Sequence, residues 1–89
     1  RVDSAVIKIE NISRKNFINK QFEKKFFEII HAGFAHKRKV LIKNMLDAGL
    51  GNRALLEKIF SERKLTLTVR SEELTVDDWI FITNVLYNQ

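Results

Sequence analysis

A chain of 89 residues with 45% hydrophobic side chains is long enough for one globular domain, which buries roughly 60% of the surface of its unfolded chain. The absence of cysteine excludes disulfides and thiolate metal sites, and no apolar run approaches the ~20 residues that span a bilayer. The net charge of +5 is uneven, because residues 71–89 contain four acidic residues and no Lys or Arg, which leaves +9 on residues 1–70. We therefore expect a cytoplasmic domain with no membrane segment and one basic surface.

The N-terminal residues 4–9 predict a β-strand, because apolar side chains alternate with others and β-branched residues dominate. A lone strand leaves its backbone groups unpaired, so it needs a partner. The alternating segment 65–69, which predicts a short extended stretch, is one candidate. A second copy of the chain and a sheet outside it are the others, and without any of these the strand frays. Residues 11–19 are polar and predict a linker.

Helices are predicted for most of the remaining chain. The first covers residues 20–35, where apolar side chains recur at three- and four-residue spacing. Gly33 interrupts this stripe at a cost of about 1 kcal/mol against alanine, which predicts the close approach of another element. A second helix is predicted over residues 37–48, after a kink. Its apolar side is Val40, Leu41, Met45 and Leu46.

The ends of the later helices carry local signals. Gly49 suits the left-handed position after a helix, and Asn52 suits the N-cap of a helix over 53–63. Thr75 and Asp78 have the spacing of a capping box for the last helix, which is apolar on most sides. The expected fold is mainly α, with four to five helices and one N-terminal strand.

The strongest chemical signal is the run H-K-R-K at residues 36–39, with Lys43 one helical turn further on. On a continuous helix Lys39 and Lys43 share one face and repel each other, and a bound phosphate would relieve that repulsion. Lys37, Arg38, Lys39 and Lys43 are therefore candidate contacts for RNA or DNA phosphates, and arginine adds a bidentate fork. The alternative is a solvated helix end whose cations favour the C-terminus of the preceding helix.

Arg70 also has two interpretations. It is either a further phosphate contact or the partner of Glu72 or Glu73 in an ion pair. The two histidines, His31 and His36, are five residues apart, whereas metal-binding pairs on one helix face are usually four apart, so no metal site is expected. We expect His31 to be a packed or half-exposed helix residue.

No nucleotide-binding glycine motif and no nucleophile elbow occurs, and the aromatic residues follow the helical stripes of a core. The chain is therefore expected to have no active site of its own. Two rivals to an RNA-binding domain remain open. One is a DNA-binding helix-turn-helix module with the basic run on its recognition helix, and the other is a protein-interaction domain with a solvated basic face.

Three stretches together resemble the small-subunit ribosomal RNA adenine dimethyltransferase family. They are V-D-S-A-V at residues 2–6, G-F-A-H-K-R-K-V-L at residues 33–41 and R-S-E-E-L-T at residues 70–75. The family patterns they are similar to are V-D-S-A-V, A-F-x-x-R-R-K-T-L and R-A-E-E-L-S, in that order. Lys37 replaces the first arginine of R-R-K, and Ile42 with Lys43 stands where the family has Arg–Asn.

The resemblance implies a parent enzyme that transfers methyl groups from S-adenosylmethionine to N6 of two adjacent adenines near the 3′ end of small-subunit rRNA. Residues 1–10 then correspond to the last strand of a Rossmann-like catalytic domain, 11–19 to a linker and 20–89 to a helical domain that docks on the small ribosomal subunit. The cofactor and the catalytic loop belong to the N-terminal domain of that parent. By position, Lys37, Arg38 and Lys39 match R-R-K, and Arg70 matches the arginine of R-A-E-E-L.

Overall fold

The computed structural model of the protein describes residues 20–88, so the strand and linker predicted for residues 1–19 lie outside the described part. Four α-helices follow in order: α1 (Lys20–Gly33), α2 (Leu41–Asp47), α3 (Arg53–Glu62) and α4 (Val76–Tyr87), with a 3₁₀ turn at Ser71–Glu73 before α4. Between residues 20 and 88 there is no strand, and the predicted mainly helical fold class is confirmed. None of these four helices has the length and apolarity needed to cross a membrane.

One hydrophobic core joins all four helices, because α1 packs on both α2 and α4 while α2 packs on α3. Each helix contributes the apolar side chains that recur on one of its faces. The largest fully buried side chains are Trp79, Phe26, Phe60, Ile29, Ile30, Leu41, Ile42, Met45, Leu56, Ile59 and Ile82. Burying a side chain of this kind stabilises the fold by about 1.5–3 kcal/mol, so the core is the main source of stability.

Gly33 lies where α1 meets α2 and α4. A Cβ atom at this position would lie 2.8 Å from Cη2 of Trp79 and 2.9 Å from Cδ1 of Leu41. The rigid indole leaves no room for a larger residue, so the close approach predicted at Gly33 is confirmed. The ring of Phe34 follows directly and packs 5.8 Å from the indole of Trp79, measured between ring centroids.

The predicted helix-end signals are confirmed. Gly49 has a φ of 72° after α2, and the side chain of Asn52 accepts a hydrogen bond from the backbone N–H of Leu55 at 2.8 Å. At the start of α4, Thr75 and Asp78 form the reciprocal capping box: Asp78 N–H donates to Thr75 Oγ1 at 3.1 Å, and Thr75 N–H donates to Asp78 Oδ2 at 3.0 Å. These motifs are local, so the sequence alone identifies them.

The predicted start of the second helix was wrong, because α2 begins at Leu41 and residues 37–40 are not helical. The cause is tertiary. The backbone N–H of Leu41 donates to the carbonyl of Val69 at 2.9 Å, and Val40 before it is extended, with φ −68° and ψ 156°. Good helix propensity in the lysine-rich run does not outweigh these constraints.

The extended stretch predicted at residues 65–69 was also wrong. The chain turns at residues 67–68, and the backbone N–H of Val69 reaches back to the carbonyl of Thr66 at 3.3 Å. Val69 is buried and its carbonyl is the acceptor for Leu41, so the segment pairs with the start of α2. Whether residues 4–9 pair with it lies outside the described residues.

Candidate nucleic-acid interface

The basic run forms a tight turn between α1 and α2, and residues 36–39 are called the basic turn from here on. The backbone N–H of Lys39 donates to the carbonyl of His36 at 3.1 Å and closes it. All four side chains are exposed. Because the run lies outside any helix, Lys39 and Lys43 do not share a helix face as predicted. The same finding deprives the helix-turn-helix hypothesis of its basic recognition helix.

The entry to the basic turn is held by side chains from later segments. The last carbonyls of a helix have no partner within it, and here Gly33 O accepts from Nδ2 of Asn44 at 2.8 Å and from Oγ of Ser71. The same Nδ2 also donates to the carbonyl of His36 at 3.1 Å. Asn44 is only 2% exposed, so α2 and the 3₁₀ turn fix the path of the chain from the end of α1.

Arg70 adds a third cross-link to the basic turn. Its Nη1 donates to the carbonyl of Lys37 at 2.8 Å, while its backbone N–H donates to Oε2 of Glu73 at 3.0 Å. Within residues 20–88 the Arg70 guanidinium forms no ion pair with Glu72 or Glu73. Neither of the two interpretations offered from the sequence described this bond to a backbone carbonyl.

The cations of this surface differ in what they contact. Lys39 pairs with Asp47, with 2.6 Å between Nζ and Oδ2, and both side chains are about half exposed. The hydrogen bond from Lys39 and its charge hold the pKa of Asp47 below its usual value. Arg38 and Lys43 make no hydrogen bond or ion pair to any residue of the described part. Two exposed cations therefore face solvent beside a firmly held turn.

A cavity of about 300 Å³ lies between the basic turn and the 3₁₀ turn. It is lined by Gly33, Phe34, His36, Lys37, Lys39, Ser71 and Glu72. The fold therefore brings together the two stretches, 33–41 and 70–75, that carry the sequence resemblance. The third stretch, residues 2–6, lies outside the described residues.

A second charged group, called the acidic cap, consists of Arg63, Thr75 and Asp78. Nη2 and Nε of Arg63 approach Oδ1 of Asp78 at 2.7 and 2.8 Å, and the guanidinium lies 5.4 Å from the centroid of the Phe81 ring. Burial tends to raise the pKa of Asp78, but its hydrogen bonds from Thr75 and Arg63 and the arginine charge outweigh burial and lower the pKa. The Arg63–Asp78 pair spans 15 residues, and sequence reasoning missed it.

Asn44 is the other functional candidate that sequence reasoning missed. Its signal was a single polar residue three positions after Leu41 and one before Met45, on the buried side of the helix. His31, predicted to be packed or half-exposed, is exposed on α1. No group of three or more potential metal ligands occurs in residues 20–88.

Comparison with known proteins gives a consistent result. The chain is 30% identical over 89 residues to the ribosomal RNA small subunit methyltransferase A of Natranaerobius thermophilus, covering all of this chain and 29% of that protein. It is 32% identical to the protein of the same name from Shouchella clausii, covering 99% of this chain and 30% of that protein. The chloroplastic ribosomal RNA small subunit methyltransferase of Arabidopsis thaliana is 30% identical over 86 residues, or 97% of this chain.

The chain thus spans 24–30% of the length of these three relatives, in their C-terminal part. No protein-family model matches it. No solved structure matches it significantly.

Proposed function

Because the chain is homologous to the C-terminal part of the ribosomal RNA small subunit methyltransferase A proteins, we propose that it is the rRNA-docking domain of such an enzyme. The parent enzyme transfers methyl groups from S-adenosylmethionine to N6 of two adjacent adenines near the 3′ end of small-subunit rRNA. The chain's partners are the small ribosomal subunit and the N-terminal catalytic domain of the same parent. Residues 1–10 complete the catalytic sheet, and residues 11–19 link it to the helical domain.

The observation that carries this proposal is a contrast at and beside the basic turn. Its backbone is fixed by hydrogen bonds, whereas two neighbouring cations make no hydrogen bond or ion pair in residues 20–88. Three side chains hold the carbonyls of residues 33, 36 and 37, whereas Arg38 and Lys43 are exposed and make no hydrogen bond or ion pair in residues 20–88. Together with Lys37 and Lys39 they form the docking surface, a group of four exposed cations suited to phosphates. Lysine and arginine release counterions from RNA on contact, so such binding is sequence-independent and weakens with salt.

We assign the cofactor to the catalytic domain of the parent. The glycines of this chain do not form a loop that cradles S-adenosylmethionine. Gly33 lies against Trp79, Gly49 ends α2, and a Cβ atom at Gly51 would lie 3.5 Å from Cδ2 of Leu86. No step of methyl transfer is assigned to residues 20–88, and their contribution is to hold the enzyme on its substrate.

The experiment is a salt series of binding to deproteinised small-subunit rRNA with two triple variants of equal charge. One changes Lys37, Arg38 and Lys39 to Gln. The control changes the exposed Lys24, Lys58 and Lys64 to Gln. It removes the same charge from other parts of the domain, since Lys24 lies in α1, Lys58 lies in α3 and Lys64 follows α3. Each lost phosphate contact lowers the slope of log affinity against log salt by about 0.7–0.9.

We expect the basic-turn triple to flatten the slope by about 2–3 in total, since each of the three contacts contributes about 0.7–0.9, while the control retains the wild-type slope. Equal flattening in both variants would mean that the chain binds RNA through its overall charge. Wild-type binding that is insensitive to salt would exclude phosphate docking altogether.

A further inference from the structure

Two arginines at or beside the docking surface differ in what their guanidinium groups contact. Arg38 is exposed and has no hydrogen bond or ion pair within the described residues. Arg70 is half-buried, and its Nη1 donates to the carbonyl of Lys37 at 2.8 Å, across 33 residues of sequence. A hydrogen bond from a charged donor is roughly twice as strong as a neutral one, so this contact is a firm cross-link between the 3₁₀ turn and the basic turn.

The carbonyl that Arg70 holds has no helical partner, because Lys37 lies between α1 and α2. Two other side chains hold the neighbouring carbonyls: Asn44 donates to Gly33 O and His36 O, and Ser71 donates to Gly33 O. Arg70 is therefore the most exposed of the three donors that fix the turn. A loop fixed before binding loses less conformational freedom when its partner arrives, which raises affinity without a new contact.

From this geometry we infer that Arg70 is a positioning residue for RNA docking. It fixes the backbone at Lys37 so that the side chains of residues 37–39 are presented together, and it acts on RNA through that turn without contacting a phosphate itself. The inference rests on the proposed function, and it assigns Arg70 a different role from Lys37, Arg38, Lys39 and Lys43.

The salt series separates the two roles, because a phosphate contact changes the slope whereas a positioning residue changes the affinity alone. Arg70→Ala and Arg38→Ala each remove one positive charge. With deproteinised small-subunit rRNA, Arg38→Ala should make the slope of log affinity against log salt shallower by about 0.7–0.9. Arg70→Ala should weaken binding severalfold at every salt concentration and leave the slope unchanged.

A second readout needs no RNA. The backbone amide of Lys39 donates to His36 O and so closes the turn. Its hydrogen exchange in the free chain should be faster in Arg70→Ala than in wild type, and unchanged in Arg38→Ala. Exchange in α4 should be the same in all three proteins, which checks that the fold is intact. Should Arg70→Ala unfold, the milder Arg70→Gln replaces it with the same expectations.

A slope reduced in Arg70→Ala as much as in Arg38→Ala would overturn the inference, because Arg70 would then be a phosphate contact. Unchanged exchange of the Lys39 amide would overturn it too. Failure of the docking proposal has a different signature. In that case wild-type binding ignores salt, while the exchange comparison still decides whether Arg70 holds the turn.

Discussion

The acidic cap and the basic turn satisfy their polar groups in opposite ways. In the acidic cap the charged side chains are matched. The Asp78 side chain is 10% exposed, pairs with Arg63 and accepts a hydrogen bond from the backbone N–H of Thr75 at the start of α4. In the basic turn the backbone carbonyls are matched by side chains from elsewhere, while Arg38 of the turn and Lys43 of α2 make no hydrogen bond or ion pair within residues 20–88. Charge that is neutralised inside the domain contributes to stability, whereas charge presented on a fixed backbone is available to a partner.

The largest expected effect comes from Asn44→Ala, which removes the buried donor that holds the basic turn. The variant loses the bonds to Gly33 O and His36 O, which keep only Ser71 Oγ and the Lys39 N–H as donors, and it empties the buried site of the Asn44 side chain. We expect the free energy of unfolding to fall by about 2–4 kcal/mol in chemical denaturation. The exposed Asn84 of α4 is the matched control, and Asn84→Ala should change stability by less than about 0.5 kcal/mol. Equal effects at the two positions would show that Asn44 does not hold the turn.

The next largest effect is expected from a substitution that disrupts the acidic cap. Asp78→Asn removes the charge that pairs with Arg63, and we expect a loss of about 1–2 kcal/mol in unfolding free energy at neutral pH. RNA binding should keep its salt slope, because the acidic cap is not part of the docking surface. The exposed neighbour Asp77 provides the control, since Asp77→Asn leaves the Arg63 pair intact.

The acidic cap should also shape the response to acid. The pKa of Asp78 is lower in the folded chain than the ordinary value of 3.8, so its stabilisation is complete above that value and disappears as the pH falls through the folded pKa. Wild type should therefore lose more stability than Asp78→Asn between neutral and strongly acidic pH. Parallel acid profiles for the two proteins would contradict the assignment of Asp78.

The smallest effect is expected at Lys39, whose side chain pairs with Asp47. Asp47→Asn removes that partner without touching the turn. Because the pair is exposed, stability should scarcely change. RNA affinity should rise a few-fold with a slightly steeper salt slope, since Lys39 no longer exchanges one anion for another. A weaker affinity would mean that Asp47 orients Lys39 for binding.

Much of the fold follows from local sequence signals. The caps at Asn52 and Thr75, the left-handed Gly49 and the tight packing at Gly33 were predicted because each depends on a few neighbouring residues. The basic turn was mistaken for a helix because its residues favour helices, whereas the bonds that exclude one come from distant segments. Those bonds, from Asn44 to Gly33 O and His36 O among them, span up to 38 residues and leave no local pattern.

Only part of the candidate site was predicted, because only its local features are visible in the sequence. A run of cations is visible in any sequence, and its composition alone pointed to phosphate. The sequence could not show that Lys39 has an acidic partner at Asp47, or that Arg70 reaches the carbonyl of Lys37. These contacts depend on how α2 and the 3₁₀ turn fold back on the end of α1. Such side-chain pairings are decided by packing.

Acetylation of lysine amines, read by mass spectrometry with and without small ribosomal subunits, tests the central claim most directly. It compares Lys37, Lys39 and Lys43 at the docking surface with Lys24, Lys58 and Lys64 elsewhere on the same chain, all of them exposed. If the docking surface binds RNA, Lys37, Lys39 and Lys43 become less reactive when the small subunit is bound, whereas Lys24, Lys58 and Lys64 keep their reactivity. Protection of Lys24, Lys58 and Lys64, with the basic turn still reactive, would contradict the claim and place the RNA on another face of the domain.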